Sequence, residues 1–396
     1  MERVLAQLDT DSYTLRYYSV VGVHQDSIFR HHKWSVSSLS DFQPDIIKHV
    51  SKERQKSRSY SNKVVIELNV NQVEKVGALL QKLQRHIQGN VVKIAGKFYF
   101  QITGIPQGSV LSTLLCSYFY GDMEQKFLTG IDEDGLLLRM VDDFLLVTPH
   151  ISQAKKFLEI MSSGIPEYGC RINTKKTVAN FALDRQDCTV TCLENLALFP
   201  WCGMLINTQT LEVYGDYSGY ENLDMKDTIT LDLTKNPGQS ILNKLQHTIR
   251  LKCHALFVDH QVNSTATIIT NLHRLFQLTA SRLHCIAQQL PPHHRVADNP
   301  KYFNRLLLQL GQYTHNLASA AGTNTVETFP LSKPAVIWLC FRTFKTRLEL
   351  HRPVYHSLLK LISVELQRNV EKVNPRTLKQ LEAVLNMSGS VMSELL

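Results

Sequence analysis

Residues 136–149 read LLLRMVDDFLLVTP, an apolar run interrupted at its middle by two adjacent aspartates. Leu136–Val141 and Phe144–Thr148 predict two buried strands, and Asp142-Asp143 between them predicts the turn of a hairpin. Asp-Asp is a poor choice for a two-residue hairpin loop, which calls for positive φ and so favours Asn-Gly or Asp-Gly. Two like charges on a mostly buried ribbon also raise each other's pKa unless a cation stands beside them. A hard divalent ion such as Mg²⁺ resolves that conflict, because it takes carboxylate oxygens and keeps positions open for phosphate and water, a combination suited to phosphoryl transfer. The plain alternative is an ordinary hairpin turn.

A second signal lies about thirty residues upstream, where TGIPQGS at 103–109 leads into the apolar-rich VLSTLLCSYFYGDM. Small side chains let backbone approach a flat ring or a sugar, and a helix start offers free N–H donors. Read alone, the loop is equally well helix punctuation. The surrounding chain is of ordinary globular composition, 43 % hydrophobic and 20 % charged, which fits neither a disordered nor a membrane protein. No apolar stretch reaches the roughly 18 residues needed to span a bilayer, and MERVLAQLDTD carries no apolar signal core, so a soluble intracellular chain without membrane association is expected. The 43 Lys and Arg exceed the 35 Asp and Glu, a modest bias toward polyanionic partners. Of the eight cysteines only Cys188 and Cys192 lie close together, and without a second ligand pair they read as packing residues rather than a zinc site.

Periodicity divides the chain further. MERVLAQL predicts a helix, YTLRYYSVVGV and VVIEL strands, and VEKVGALLQKLQRHI a helix. The basic segment with Lys52, Arg54, Lys56 and Arg58 reads as a solvated surface or a phosphate contact. From VVKIAGKFYFQI, taken as one strand, to about residue 215 strands and helices alternate; beyond about 236 the pattern is helical, starting with a single helix over ILNKLQHTIRLKCHALFVDHQVN.

GIPQGS, VDDFLLVT, EYGCRINTKKTV, LFPWCGMLI and RLKCHALFVDHQVNS, in that order, resemble the motif series of telomerase reverse transcriptase, and DYSGY, QVNS and the long helical C-terminus point to the telomerase branch. The resemblance implies an α+β fold, a partial reverse-transcriptase palm of antiparallel sheet and helices followed by an all-α thumb. Residues 1–95 would be a remnant of palm and fingers insertion, 96–235 the palm and 236–396 the thumb. In the family the aspartates matching Asp142 and Asp143 hold Mg²⁺, and the lysine matching Lys176 faces the leaving pyrophosphate, although its neighbour Lys175 differs only in register. Gly104, Ile105, Pro106, Gln107, Gly108 and Ser109 would cradle the incoming nucleotide and the template base. Trp201, Cys202 and Gly203 match the primer grip; without the resemblance, Trp and Cys read equally as core. Lys244, Arg250 and Lys252, with His247 and His254, would line an RNA–DNA duplex, and Arg342, Lys345 and Arg347 resemble a second phosphate-facing patch. The implied partners are a telomerase RNA template, a telomeric DNA primer and deoxynucleoside triphosphates, and the implied location is the nucleus, at telomeres.

The chain departs from the family pattern at one catalytic position. The further aspartate of a D-x-x-x-x-Y-D strand is not found, and Asp9 and Asp11 read as turn residues. On the sequence, this looks like the C-terminal part of a larger polymerase, inactive by itself; the alternative is a non-catalytic module that binds RNA–DNA duplex.

Overall fold

The computed structural model describes residues 12–24, 27–38, 63–131, 133–182, 190–193, 198–220, 223–231, 236–321 and 329–391, and the chain divides into a unit ending at Thr129 and a unit beginning at Gly130. The helix expected at MERVLAQL, Asp9, Asp11, Cys188 and the basic segment 52–58 lie outside the described residues.

In the first unit β1 (Ser12–His24) pairs antiparallel with β2 (Ser27–Ser38) on one side and β3 (Lys63–Lys75) on the other. Helix α1 (Val76–Gln88) follows, then β4 (Val91–Ile94), β5 (Lys97–Phe100) and α2 (Ser112–Phe127). The single strand expected over 91–102 is instead a hairpin, because Ala95 and Gly96 both take positive φ, 49° and 83°, and reverse the chain in two residues. An alternating apolar pattern looks the same in one strand or two, and Ala in the left-handed region leaves no mark on composition.

The second unit opens with β6 (Leu136–Met140) and β7 (Asp143–Val147), followed by α3 (Ile151–Ser163) and a short parallel pair, β8 (Val178–Ala179) with β9 (Thr191–Cys192). Strands β10 (Leu198–Trp201), β11 (Met204–Asn207) and β12 (Val213–Gly215) form an antiparallel meander in that order. Then come α4 (Pro237–Lys252), α5 (Ala255–Val258), α6 (Thr265–Gln288), α7 (Pro300–Ala321), α8 (Lys333–Glu349), α9 (Arg352–Val370) and α10 (Pro375–Val391). The helix expected over 241–263 breaks after Lys252, since His254 leaves the helical conformation and its Nδ1 accepts the Leu256 N–H at 3.2 Å, capping a new turn.

The helices share one core. In α8 every residue from Ala335 to Phe341 is buried, so this stretch is apolar all round and sits inside the bundle, against α6, α7 and α9. Phe341, Phe344 and Tyr355 are fully buried, each side chain of this size contributing about 1.5–3 kcal/mol. Gly311 of α7 permits the close approach of α8: a Cβ there would lie 3.1 Å from Ile337 Cα.

Candidate active site and duplex-facing helix

The aspartate hairpin differs from the sequence expectation in two respects. Asp143 pairs with Met140 as the first residue of β7, so the two-residue loop is Val141-Asp142, with Val141 carrying the positive φ of 62°. A β-branched residue in that region is strained, and the turn is braced by the Arg139 guanidinium, which donates to the Val141 carbonyl at 3.0 Å. The strands are also not buried as expected. Leu136, Leu138 and Met140 are exposed, Leu145 is the one buried residue of the pair, and both aspartates stand in solvent. Water therefore screens the carboxylates, and burial does not by itself demand a cation between them.

The turn between β10 and β11 is held against this hairpin. Cys202 and Gly203 take φ of 48° and 76°, the pair of left-handed residues that closes a two-residue loop with the twist of its strands. The turn places the Cys202 thiol 3.7 Å from Asp143 Oδ2, a hydrogen bond spanning 59 positions of sequence. Burial, then the Asp143 charge and its hydrogen bond, then Asp142, push the thiol up to about 11, so it stays protonated and donates. Asp142, Asp143, Cys202 and the bend at Trp201–Gly203 thus meet at one place.

Lys175 and Lys176 occupy an exposed turn organised by Asn173, which accepts the Lys175 N–H at Oδ1 (3.1 Å) and the Lys176 N–H at its carbonyl (2.9 Å). Both ammonium groups face solvent, and nothing in the turn separates their roles. On α4 the buried stripe runs through Ile241, Leu245 and Ile249, while Lys244, His247 and Arg250 line an exposed face at spacings of three. Arg250 Nη2 lies 3.2 Å from His247 Nδ1, and Lys252 sits 5.3 Å over the Tyr220 ring, so its charge is already engaged within the protein. Of the second patch, Arg342 is exposed, Lys345 reaches Glu349 at 4.0 Å and Arg347 Nε donates to Ser281 at 3.2 Å.

The 104–109 loop belongs to the other unit. Gly104 and Gly108 hold φ of 83° and 77°, which other residues adopt only with strain. Gln101 threads the loop, Nε2 donating to the carbonyls of Thr103 at 2.9 Å and Ile105 at 3.2 Å, while the Ser112 hydroxyl donates to the Pro106 carbonyl. His86 of α1 lies 2.7 Å from Ser109 Oγ. Ile105 is half-buried, Pro106 buried and Gln107 exposed. Gln101 and His86 carry no motif of their own, and their part in shaping the loop is visible only in three dimensions.

Residues 32–198 match the family model for reverse transcriptase (RNA-dependent DNA polymerase), and residues 239–363 match that for the telomerase reverse transcriptase C-terminal extension. The telomerase reverse transcriptase of Bos taurus is 37 % identical over 387 residues, 95 % of this chain, and that of Mus musculus 40 % over 357 residues, 88 % of this chain. The chain belongs to the telomerase reverse transcriptase family. It spans about a third of the length of these relatives, 34 % and 32 %. A solved telomerase from Candida albicans, in complex with a TWJ fragment of telomeric RNA, is 17 % identical with a TM-score of 0.46, covering 92 % of this chain and 54 % of that one, too distant to bear on the site.

Within this family the donor set at the hairpin tip can be tested for a cation. Asp142 and Asp143 offer hard oxygen donors on an exposed, braced turn, which fits a hard divalent ion. Among the described residues no group of three His, Cys, Asp or Glu stands close enough to complete a metal site, so these two carboxylates supply only part of a ligand set. No helix among the described residues is long and apolar enough to cross a membrane.

Proposed function

We propose that this chain carries the palm (96–235) and thumb (236–396) portions of an RNA-directed DNA polymerase of the telomerase type, which extends a telomeric DNA primer from deoxynucleoside triphosphates on a telomerase RNA template, in the nucleus at telomeres. The observation that carries the reading is the contact of Cys202 with Asp143: the turn that the family uses as primer grip touches the hairpin that the family uses for catalysis.

On this reading Asp142 and Asp143 hold the catalytic Mg²⁺. When bound, the ion supplies Lewis acidity toward the attacking 3′-hydroxyl and neutralises phosphate charge. The remaining work belongs to the chain. The Cys202 thiol fixes the rotamer of Asp143, and the open Cβ side of Gly203, with nothing within 4 Å, leaves the primer backbone room to approach the turn. Gly104–Ser109 present small groups to nucleotide and template base. Lys176, or Lys175 in the alternative register, donates charge or a proton toward the leaving pyrophosphate. Lys244 and Arg250 meet duplex phosphates, with Lys252 behind them on Tyr220.

The test is primer extension by a chimera in which this chain replaces the matching third of the Mus musculus relative, supplied with template RNA and Mg²⁺. Extension should be lost on Asp142→Asn and on Asp143→Asn, while binding of an RNA–DNA hybrid survives. Extension that persists in both variants would overturn the catalytic assignment.

A further inference from the structure

The outer edge of β12 is completed by side chains from the helical region. The carbonyl of Glu212 accepts the Asn207 N–H at 2.8 Å and the Asp216 N–H donates to the Gly203 carbonyl at 3.0 Å, so by strand alternation Val213 and Gly215 turn their backbone groups away from β11. All four of those groups meet the helical region. The Val213 N–H donates to Asn263 Oδ1 at 2.8 Å, and its carbonyl accepts from Asn271 Nδ2 at 2.9 Å. The Gly215 N–H donates to Asn271 Oδ1 at 3.1 Å, and its carbonyl accepts from Arg274 Nη1 at 3.4 Å. Both asparagines are buried, 2 % and 5 % exposed, and their remaining amide hydrogens donate back to the α5 segment, Asn263 to the Leu256 carbonyl at 2.7 Å and Asn271 to the Phe257 carbonyl at 3.0 Å. The flanking residues add to the attachment: Glu212 accepts from the Ser264 N–H at 2.8 Å at the start of α6, and Arg274 lies 5.4 Å over the Tyr214 ring.

Three side chains thus do for β12 what a fourth strand would do, with a consequence that a strand would not have. A neighbouring strand can slip in register, whereas two amides rooted at fixed positions on and before one helix allow a single placement. The Cys202-Gly203 turn belongs to the same meander and adjoins the end of β12, where the Asp216 N–H reaches the Gly203 carbonyl and Met204 pairs with Gly215.

We infer that Asn263 and Asn271 are positioning residues for the primer 3′ end: they lock the grip sheet to the helical region, so that the Cys202-Gly203 turn and the duplex-facing side of α4 are carried as one body. This rests on the proposed polymerase reading for the word primer, but the mechanical part stands without it. It predicts that the thumb cannot swing away while the grip stays in place, and that loosening the amides misplaces the terminus more than it weakens hold on the duplex.

The experiment has two arms on the full chain. Amide hydrogen exchange of the unmodified protein should show Val213 and Gly215 protected to the same degree as Leu272 in the helical core; edge amides that exchange a hundredfold faster would overturn the lock. For the second arm, an RNA–DNA hybrid with 2-aminopurine at the recessed primer 3′ end is bound to the unmodified protein and to Asn271→Leu, with Ile268→Val as a control that perturbs the same helix and leaves the amides alone. Asn271→Leu should speed exchange through Met204–Ile206 and shift the 2-aminopurine signal toward that of the free hybrid, with hybrid affinity changed less than about threefold; Ile268→Val should do neither. Equal effects of the two variants, or an unchanged terminus signal in Asn271→Leu, would reduce the asparagines to ordinary packing and sink the inference. Failure of the unmodified chain to bind the hybrid would instead count against the polymerase reading, leaving the exchange arm to decide the lock.

Discussion

Lowering the pH should loosen the helical region through His273. This residue lies on α6, is 7 % exposed, and has its Nδ1 2.8 Å from Thr343 Oγ1 on the central helix α8. Burial, helped by the neighbouring Arg274 charge, drives its pKa from the ordinary 6.5 down to about 4. Unfolded, the imidazole takes its proton near 6.5; folded, it resists until about 4. The unfolded state therefore binds more protons across that window, and stability rises with pH there. The contribution is complete above about 6.5, drains away as the pH falls, and changes no further below about 4. At about 1.4 kcal/mol per pH unit the interval is worth roughly 3 kcal/mol, a large fraction of the stability of a typical domain. Urea unfolding followed by the fluorescence of Trp338, which is 4 % exposed in the same core, reads this region when Trp34 and Trp201 are replaced by Phe. The comparison is with His273→Gln, whose amide still bonds Thr343 but does not titrate. Between pH 7 and pH 4 the parent should lose about 3 kcal/mol more than the variant, whatever acid groups elsewhere do to both. Parallel stability curves would refute the reasoning, since they would mean that the imidazole is solvated or charged in the folded state.

Gly311→Ala should destabilise the helical region by about 1–3 kcal/mol, seen as a lower thermal midpoint, because the added methyl meets the Ile337 backbone rather than a side chain that can turn aside. Lys244→Ala and Arg250→Ala should each reduce the slope of log affinity against log salt for an RNA–DNA hybrid by about 0.7–1 with little change at the primer terminus, whereas Lys252→Ala should alter that slope less because its ammonium already rests on Tyr220. Cys202→Ala should slow primer extension by the chimera roughly tenfold, the loss of one hydrogen bond to a charged group, with Cys202→Ser closer to the parent; equal rates for the Ala and Ser variants would show that the thiol does not orient Asp143.

Much of the fold is legible in the sequence, and the illegible parts share a cause. The helical region announces itself by periodicity, and GIPQGS shows its need for left-handed backbone by placing Gly at 104 and 108. What composition conceals is non-glycine residues in the same conformation: Ala95 and Cys202 each share a tight turn with a following Gly, and Val141 closes its turn with neither Gly nor Asn. That is why one expected strand is a hairpin and why the aspartate turn lies one residue upstream of its expected place. Burial at the aspartate hairpin is not legible, because an apolar run says that a surface could be covered, not that it is. Asn263 stands in QVNS and carries part of the family resemblance, but its work on a strand fifty positions away has no local signature. Asn271, inside an otherwise ordinary amphipathic helix, reads as a surface polar residue and is nearly inaccessible. The contact of Cys202 with Asp143 is illegible for the same reason: sequence names the two motifs, and only the fold makes them neighbours.

The amide-capped flank of β12 has one more effect, on what the protein avoids. A strand at the margin of a sheet normally offers a ladder of vacant donors and acceptors that a stray chain can extend, the usual seed of aggregation. Here that ladder is already filled by side chains on and just before a helix, which cannot be peeled off one strand at a time. On this side the meander cannot grow.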